Sequence, residues 1–384
     1  MTESSVTRKQ VIAFRWRAHQ LDRPAGSATS VTEVPLLDLG LQDTGVGGAA
    51  WALDVRGAPD HEGDTLALAW TVRGAPHLYR RADLPEVAVA TAPLSEADAA
   101  KRIFDASKPL KAAGIPVIDA LRTIARLQRS LVTEPMVKGE LSGRLNELLD
   151  APYLRECRQC QATHTFELPF RLAALQAGLE LEPDTSPPVL RRIPGAEPNE
   201  LDRLGDQATA QFDLVRAYLR FFAPARPRDV AGFLDAPLKD VRSHWPEDAV
   251  AVEVPELSAT GRGEPAFALS GDLESLTADE PGRAGTVRLL GPFDPYLQLR
   301  DRATLVADPA RAKDLWRALG RPGAVVVDGE IVGTWRPRAS GHRLGLAIDH
   351  WDRHDAGLDT AVAEQAERFA RFRGLAFNGI ERTG

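Results

Sequence analysis

Cysteine is nearly absent from this chain: two in 384 residues. That excludes a disulfide framework, and together with 40 arginines against seven lysines it reads as a cytosolic, bacterial-type protein. No apolar run approaches the ~18 residues that a membrane-spanning helix needs, so no membrane partner is expected. The start, Met1-Thr2-Glu3-Ser4-Ser5, lacks the basic and apolar regions of a secretory signal, and a cytoplasmic location follows as the expectation. Phosphate loops of the Walker type, G-x-G-x-x-G after a strand, G-x-S-x-G and H-E-x-x-H are all missing. P-loop phosphoryl transfer, hydride transfer and zincin hydrolysis are therefore disfavoured. What is present is ordinary for a core-forming protein, 43% apolar and 26% charged, long enough for two or three domains.

A net charge of −7 argues at first against a nucleic-acid partner. Its distribution removes that argument. Residues 243–285 hold nine Asp/Glu and two arginines, a balance of −7 that equals the net charge of the chain. Residues 101–149 and 286–343 are each +4. Counterion release is local to the protein–DNA interface, so clustered cations matter more than the total. Solvated surface would look the same, so charge permits DNA without demanding it.

The pattern of elements is more informative. Thr7–Leu21 reads as an amphipathic helix, with Pro35–Gln42 and Val46–Leu53 as two shorter ones. A hairpin follows, Leu66–Val72 and His77–Arg80 around Gly74-Ala-Pro76. Three helices and a two-stranded wing make a winged helix. The pattern recurs with a capping box at Ser95 and Asp98 opening a helix through Phe104, helices over Val117–Leu131 and Val137–Leu149 (Lys138 and Arg144 outward as candidate DNA contacts), and a turn at Cys157–Cys160 as wing. After a proline-rich linker, Phe212–Phe222, Asp229–Leu234 and Leu238–Trp245 are helical, and Val250, Val252 and Val254 alternate as a strand facing Phe267 and Leu269. Asp328-Gly329 between two β-branched runs is a strong hairpin signal. Its second strand is expected to run through Arg336, with a turn over Pro337–His342, a return strand Arg343–Ile348 and a closing helix Leu358–Phe372. The fold class is α+β: tandem winged helices over 1–92, 93–200 (with the linker) and 201–384, the last ending in a β-hairpin segment. A monomer is expected.

Cys157-x-x-Cys160-x-x-x-His164 has metal-like spacing, but a closed zinc site needs four ligands and no second cysteine pair exists. His61, His77 or His244 would have to arrive by tertiary accident, so no metal and no cofactor are expected. Arg336, Arg338, His342 and Arg343 crowd the tip of the C-terminal hairpin, a basic, small-residue element suited to a DNA groove or simply to water. On the first wing, Arg73 and Arg80 suit phosphate contacts. His77, beside them, is a third candidate DNA contact on this wing, suited to a phosphate, to a position near a substrate or only to a structural role.

Several stretches taken together resemble the AlkZ/YcaQ family of DNA glycosylases. They are Leu36–Thr44, Arg73–Tyr79, Cys157–Cys160 with Thr163-His164, Leu290–Tyr296 with Arg300-Asp301-Arg302, and Val327–Arg336. The resemblance implies tandem winged helices, hydrolysis of N7-alkylated purines or bulky alkyl adducts and crosslinks, and duplex DNA as partner. The family's signature is Gln, an apolar residue, then Gln or Asp. Here the matching place reads Leu41-Gln42-Asp43-Thr44, with Gln and Asp adjacent, so Gln42, Asp43 and Thr44 are the catalytic candidates and one position departs from the pattern. The chemistry gives them a task. A cationic alkylated base leaves readily, its departure builds positive charge on the sugar, and water must reach C1′. A carboxylate stabilises that charge and accepts the water's proton, while an amide positions the water. Asp43-Thr44 would equally serve as a helix cap ahead of Val46–Leu53.

Overall fold

A computed structural model describes residues 4–24, 26–28, 30–58, 64–158, 161–196, 204, 206–257, 265–278, 285–351 and 355–383. The first helix, Arg8–Ala18, opens with a reciprocal capping box in which Thr7 and Gln10 satisfy each other's backbone N–H groups. It ends three residues earlier than expected, where Gln20 turns to a positive φ of 58°.

The next segment departs from expectation. Pro35–Gln42 is not a helix: a single 3₁₀ turn, Pro35–Asp38, gives way at Gly40 to a short strand, Leu41–Gln42. Gly40 causes the switch. It sits at φ +86°, and a Cβ there would lie 2.4 Å from the Tyr79 ring. Leu36, Leu37, Leu39 and Leu41 are all buried, so these leucines form a core-filling run rather than one face of a helix. The following helix is Gly48–Asp54, and Val46, expected inside it, is exposed on the preceding loop.

The first hairpin is as expected, Leu66–Trp70 antiparallel to Pro76–Arg80. It lies in a six-stranded sheet with Leu41–Gln42 at one edge and Leu179–Leu181, Val189–Arg192 and Met136–Val137 beyond it. Strands from 1–92 and 93–200 thus share one sheet. The helices Val117–Leu131 and Lys138–Asn146 pack over it around a core that includes Leu121, Leu141 and Phe170. The cysteine turn is a two-stranded hairpin, Leu154–Cys157 with Ala162–Thr165. Cys160 lies outside the described residues, as do Arg262, Glu264, Asp279, Glu280 and Arg283 of the acidic stretch.

Helices Leu214–Phe222, Pro227–Leu234 and Leu238–Ser243 precede the expected pair Ala249–Glu253 and Ala266–Leu269. Ser4–Ser5 joins this pair as a parallel strand, so the N-terminus folds onto the third segment. The C-terminal sheet orders Val287–Leu290, Gly323–Val327, Glu330–Ser340, Arg343–His350 and Ala376–Arg382. Asp328 and Gly329 both have positive φ, the pairing a tight hairpin requires. A second correction falls here. Pro337–Ser340 belong to the strand, and the turn is only Gly341-His342. Beyond Trp335 the strand keeps one neighbour, the edge setting that tolerates proline. The closing helix is Ala356–Phe372, and the strand after it carries no signal in the sequence.

One apolar core runs from Ile12 and Trp16 through Trp51, Leu289 and Trp335 to Phe369. Trp51 meets Phe369 edge to face at 4.9 Å and donates its indole N–H to Leu289 O at 2.8 Å, which ties the helix Gly48–Asp54 to the C-terminal sheet and helix. Arg56 and Asp294, 0% and 1% side-chain exposed, close the same seam with two bonds of 2.7 Å.

Candidate active site

The segment that positions the catalytic candidates is built on backbone constraints. Leu41–Gln42 pairs with Leu78 and His77 at the sheet edge, and the Asp43 N–H donates to Pro76 O at 2.8 Å. The loop that follows uses Gly45 and Gly47 at positive φ, conformations that other residues resist. Gly47 also lies against Phe372 of the closing helix. The corner is therefore clamped between the first hairpin and the C-terminal segment.

Asp43 acts as a cap at long range. The helix Gly48–Asp54 begins at Gly47, which has no side chain to offer, and Asp43 Oδ1 accepts from the Ala49 N–H at 2.9 Å. Its Oδ2 makes no hydrogen bond among the described residues. Burial pushes the Asp43 carboxyl upward from its ordinary value; the Ala49 and Gly48 backbone opposes this, and the charge of Asp184 adds to it. Gln42 donates through Nε2 to Thr44 Oγ1 at 3.0 Å, and its Oε1 is buried without a partner among the described residues. Gln42, Asp43 and Thr44 thus stand together as a half-buried polar corner with one open carboxylate oxygen and one open amide oxygen. A buried acceptor with no donor is costly, and one that a bound water or substrate can satisfy is a sign of function.

The hairpin residues divide. His77 is 5% exposed; its Nδ1 donates to Ala75 O and lies 3.0 Å from Thr71 Oγ1. Burial, reinforced by the Arg73 charge, holds it down to about 3, so it is neutral at physiological pH and offers a phosphate no charge. Arg80 bonds Asp38 at 2.6 Å and Asp83 at 2.9 Å, and donates to the Thr32 and Val34 carbonyls. It locks the Pro35–Asp38 turn to the hairpin, its N–H groups taken up by two acids and two carbonyls. Arg73 is half-buried at φ 58°, stacked 5.2 Å over Phe233 and donating to Phe233 O and Gln298 Oε1. Burial and then the charges of Arg300 and Arg321 lower it to about 10.

The other basic candidates are not brought to this corner by any contact. Lys138 is paired with Glu167 at 2.7 Å, and Arg144 with Glu140 at 2.6 Å. Arg336 donates to Gly320 O and lies 3.9 Å from Asp314. Arg338, His342 and Arg343 are exposed at the hairpin tip, as the sequence pattern suggests. No group of three or more His, Cys, Asp or Glu arranged for a metal occurs among the described residues. Two features are not legible in the sequence. Asp184, distant along the chain, brings a second carboxylate's field to Asp43. Arg300, Arg302 and Arg321 bring their charges to bear on Arg73, partly offset by Asp235. The Arg300-Asp301-Arg302 triplet is visible as a motif, but nothing in the sequence says which way its charges point.

A family model described as "DNA glycosylase AlkZ-like" matches residues 48–372. The match begins four residues after Thr44, so the candidate triplet stands just outside it. Among solved structures, the Streptomyces sahachiroi DNA glycosylase AlkZ superposes with a TM-score of 0.69 at 21% identity, over 99% of this chain and 100% of that one. At that identity the likeness speaks for the fold. No curated protein matches the sequence significantly.

Proposed function

The chain belongs to the AlkZ-like DNA glycosylase family, and from that premise we propose that it is a monofunctional glycosylase hydrolysing the N-glycosidic bond of N7-alkylated purines or bulky alkyl adducts in duplex DNA. The observation that carries this reading is the corner itself: the open oxygen of a half-buried Asp43 beside the unpartnered amide oxygen of Gln42. Alkylation at N7 makes the base a cationic leaving group. As the glycosidic bond opens, positive charge grows on the sugar, and Asp43 Oδ2 is available to stabilise it. Water for attack at C1′ needs an acceptor to orient it, which Gln42 Oε1 supplies, and Asp43 takes the proton. Thr44 fixes the Gln42 amide, and the Ala49 N–H fixes the carboxylate, so neither group must reorganise during the reaction. The target nucleotide has to leave the base stack to reach such a corner, at a cost that damage reduces.

Two observations favour a second reading, a DNA-binding protein that has lost hydrolysis. Asp43 is a working helix cap, and the pair Gln42-Asp43 lacks the spacer of the family signature. Single-turnover base release from 7-methylguanine duplex, measured beside a gel-shift titration, decides between them. The glycosylase reading expects release by the wild type and its loss in Asp43→Asn with binding retained. Tight binding without release by the wild type would transfer the case to the second reading.

A further inference from the structure

Several arginines are neutralised by acids. Arg15 is paired with Asp301, Arg56 with Asp294 and Arg80 with Asp38 and Asp83. A different group collects where the turn of the first hairpin meets the helix Pro227–Leu234 and the loops 291–302 and 316–322. Arg302 lies 5.1 Å over the Trp316 ring, Arg321 4.8 Å over Phe293 and Arg73 5.2 Å over Phe233. The stem of Arg300 runs along Gly232, 3.4 Å from where a Cβ would sit there.

No carboxylate answers Arg300, Arg302 or Arg321 among the described residues. The acid between two of them, Asp301, is turned away: its Oδ2 accepts from Arg15 at 2.7 Å and from Thr304 Oγ1 at 2.8 Å. Arg300 Nε, Arg302 Nε and Gln298 Nε2 are buried with no acceptor among the described residues. These cations also disfavour one another. After burial, the charge of Arg300 is the next cause lowering both Arg302 and Arg321. Apart from the field of Asp235 at Arg73, these like charges are held together without a counter-ion among the described residues, with donors left open, and describe a site suited to an anion.

We propose that Arg300, Arg302 and Arg321, together with Arg73, hold backbone phosphates of duplex DNA beside the nucleotide presented to Asp43. The location supports this. Arg73 and the corner share one hairpin, since Pro76 O accepts from the Asp43 N–H and His77 pairs with Gln42. Arg73 is held over its ring by bonds to Phe233 O and Gln298 Oε1, and Arg321 by one from Nε to Arg317 O, so these planar guanidiniums are pre-oriented and present their remaining N–H groups to phosphate oxygens. Positioning a duplex against the corner is then the work of the 291–302 and 316–322 loops as well as of the exposed hairpin tip. The inference rests on the DNA glycosylase reading above, and the test separates the two.

Binding of an undamaged, fluorescein-labelled duplex is titrated at roughly 50 to 200 mM KCl for the wild type, Arg302→Gln, Arg321→Gln and the double variant. Each substitution keeps a planar amide over its ring. The slope of log affinity against log salt should shrink by about 0.9 for each phosphate no longer neutralised, hence by about 1.8 in the double variant. Because mutual repulsion is relieved, Tm without DNA should hold or rise. Arg302→Lys and Arg321→Lys serve as second variants if a glutamine form folds poorly; they should keep the slope while losing affinity. An unchanged slope in the double variant, with binding intact, overturns the phosphate site whether or not the wild type releases base. A slope reduced by the substitutions, in a protein whose wild type releases no base, leaves the phosphate site standing and removes the glycosylase reading instead. Failure of the wild type to bind duplex even at the lowest salt overturns both.

Discussion

Asp294 and Asp43 each place a carboxylate at the first turn of a short helix, before Pro295–Leu297 and before Gly48–Asp54 respectively. Asp294 is fully engaged. Both oxygens meet the Arg56 guanidinium at 2.7 Å, and Oδ1 also accepts from the Tyr296 N–H at 2.9 Å. Asp43 has one oxygen on Ala49 and the other open, next to an amide oxygen with no partner. The same capping chemistry is thus closed in one place and left incomplete in the other. The arginines repeat the contrast, Arg56 and Arg80 consumed by acids, Arg300, Arg302 and Arg321 without any among the described residues. The Arg56–Asp294 pair holds the fold together, whereas at the corner the open groups lie beside one another on a half-buried surface.

The sharpest way to break this contrast is to open the closed member. Arg56→Met leaves the buried Asp294 carboxylate unpaired and should cost about 3–5 kcal/mol in chemical denaturation. The double variant Arg56→Met/Asp294→Leu should recover much of that loss, because the penalty lies in the orphaned charge. A single variant as stable as the wild type would show the pair to be dispensable.

Next in size is the open member. Asp43→Asn should lower single-turnover base release by ~10²-fold or more, equivalent to about 2.7 kcal/mol of transition-state stabilisation, while duplex affinity is kept. Gln42→Ala should cost less. Asp43→Asn retains an oxygen for the Ala49 N–H, so Tm should move little; a large fall in Tm with modest kinetic change would make Asp43 a cap and nothing more.

His77 tests the contrast through pH. Its folded value, about 3, lies below the ordinary 6.5, so the unfolded chain binds the proton first as pH falls. Stability is therefore complete above pH 6.5 and declines between 6.5 and 3. At pH 5 the loss from this group alone is about 2 kcal/mol. His77→Asn, which can still donate to Ala75 O, should flatten that part of a Tm-against-pH curve; an unaltered acid limb would assign it elsewhere, to the fully buried His19 for instance.

The smallest expected effect contrasts two arginines. Arg338→Ala, at the exposed hairpin tip, should reduce the salt slope of duplex binding by about 0.9 with no change in Tm. Arg80→Ala should do the reverse, lowering Tm while leaving the slope alone. Equal slopes for both would deny the tip a phosphate contact. A hairpin that also orients the duplex makes a further demand: replacing residues 338–342 with Gly-Gly should reduce base release more than affinity.

Local patterns carry much of the fold. Helices such as Val117–Leu131 and Ala356–Phe372 and the Asp328-Gly329 hairpin are legible because apolar period and turn chemistry are written within a dozen residues. Pro35–Gln42 misleads for a reason of the same kind. Four buried leucines imitate a helical stripe, and only the meeting of Gly40 with the Tyr79 ring, far away in sequence, turns the chain into a strand. Pro337 misleads too, since its tolerance in a strand depends on where the neighbouring strand stops.

By itself the sequence determined the α+β character, the family resemblance and the residue types at the corner, because these depend on composition and spacing. Which polar groups are satisfied was decided by the tertiary structure alone. Arg80 and Arg302 look alike in the sequence, each beside an aspartate within three positions. Arg80 finds Asp38 and Asp83, whereas the nearby Asp301 is claimed by Arg15 from the first helix, leaving Arg302 unanswered. Pairing of charges in a folded chain follows three-dimensional distance and burial, and neither is encoded in the identity of a residue or its neighbours.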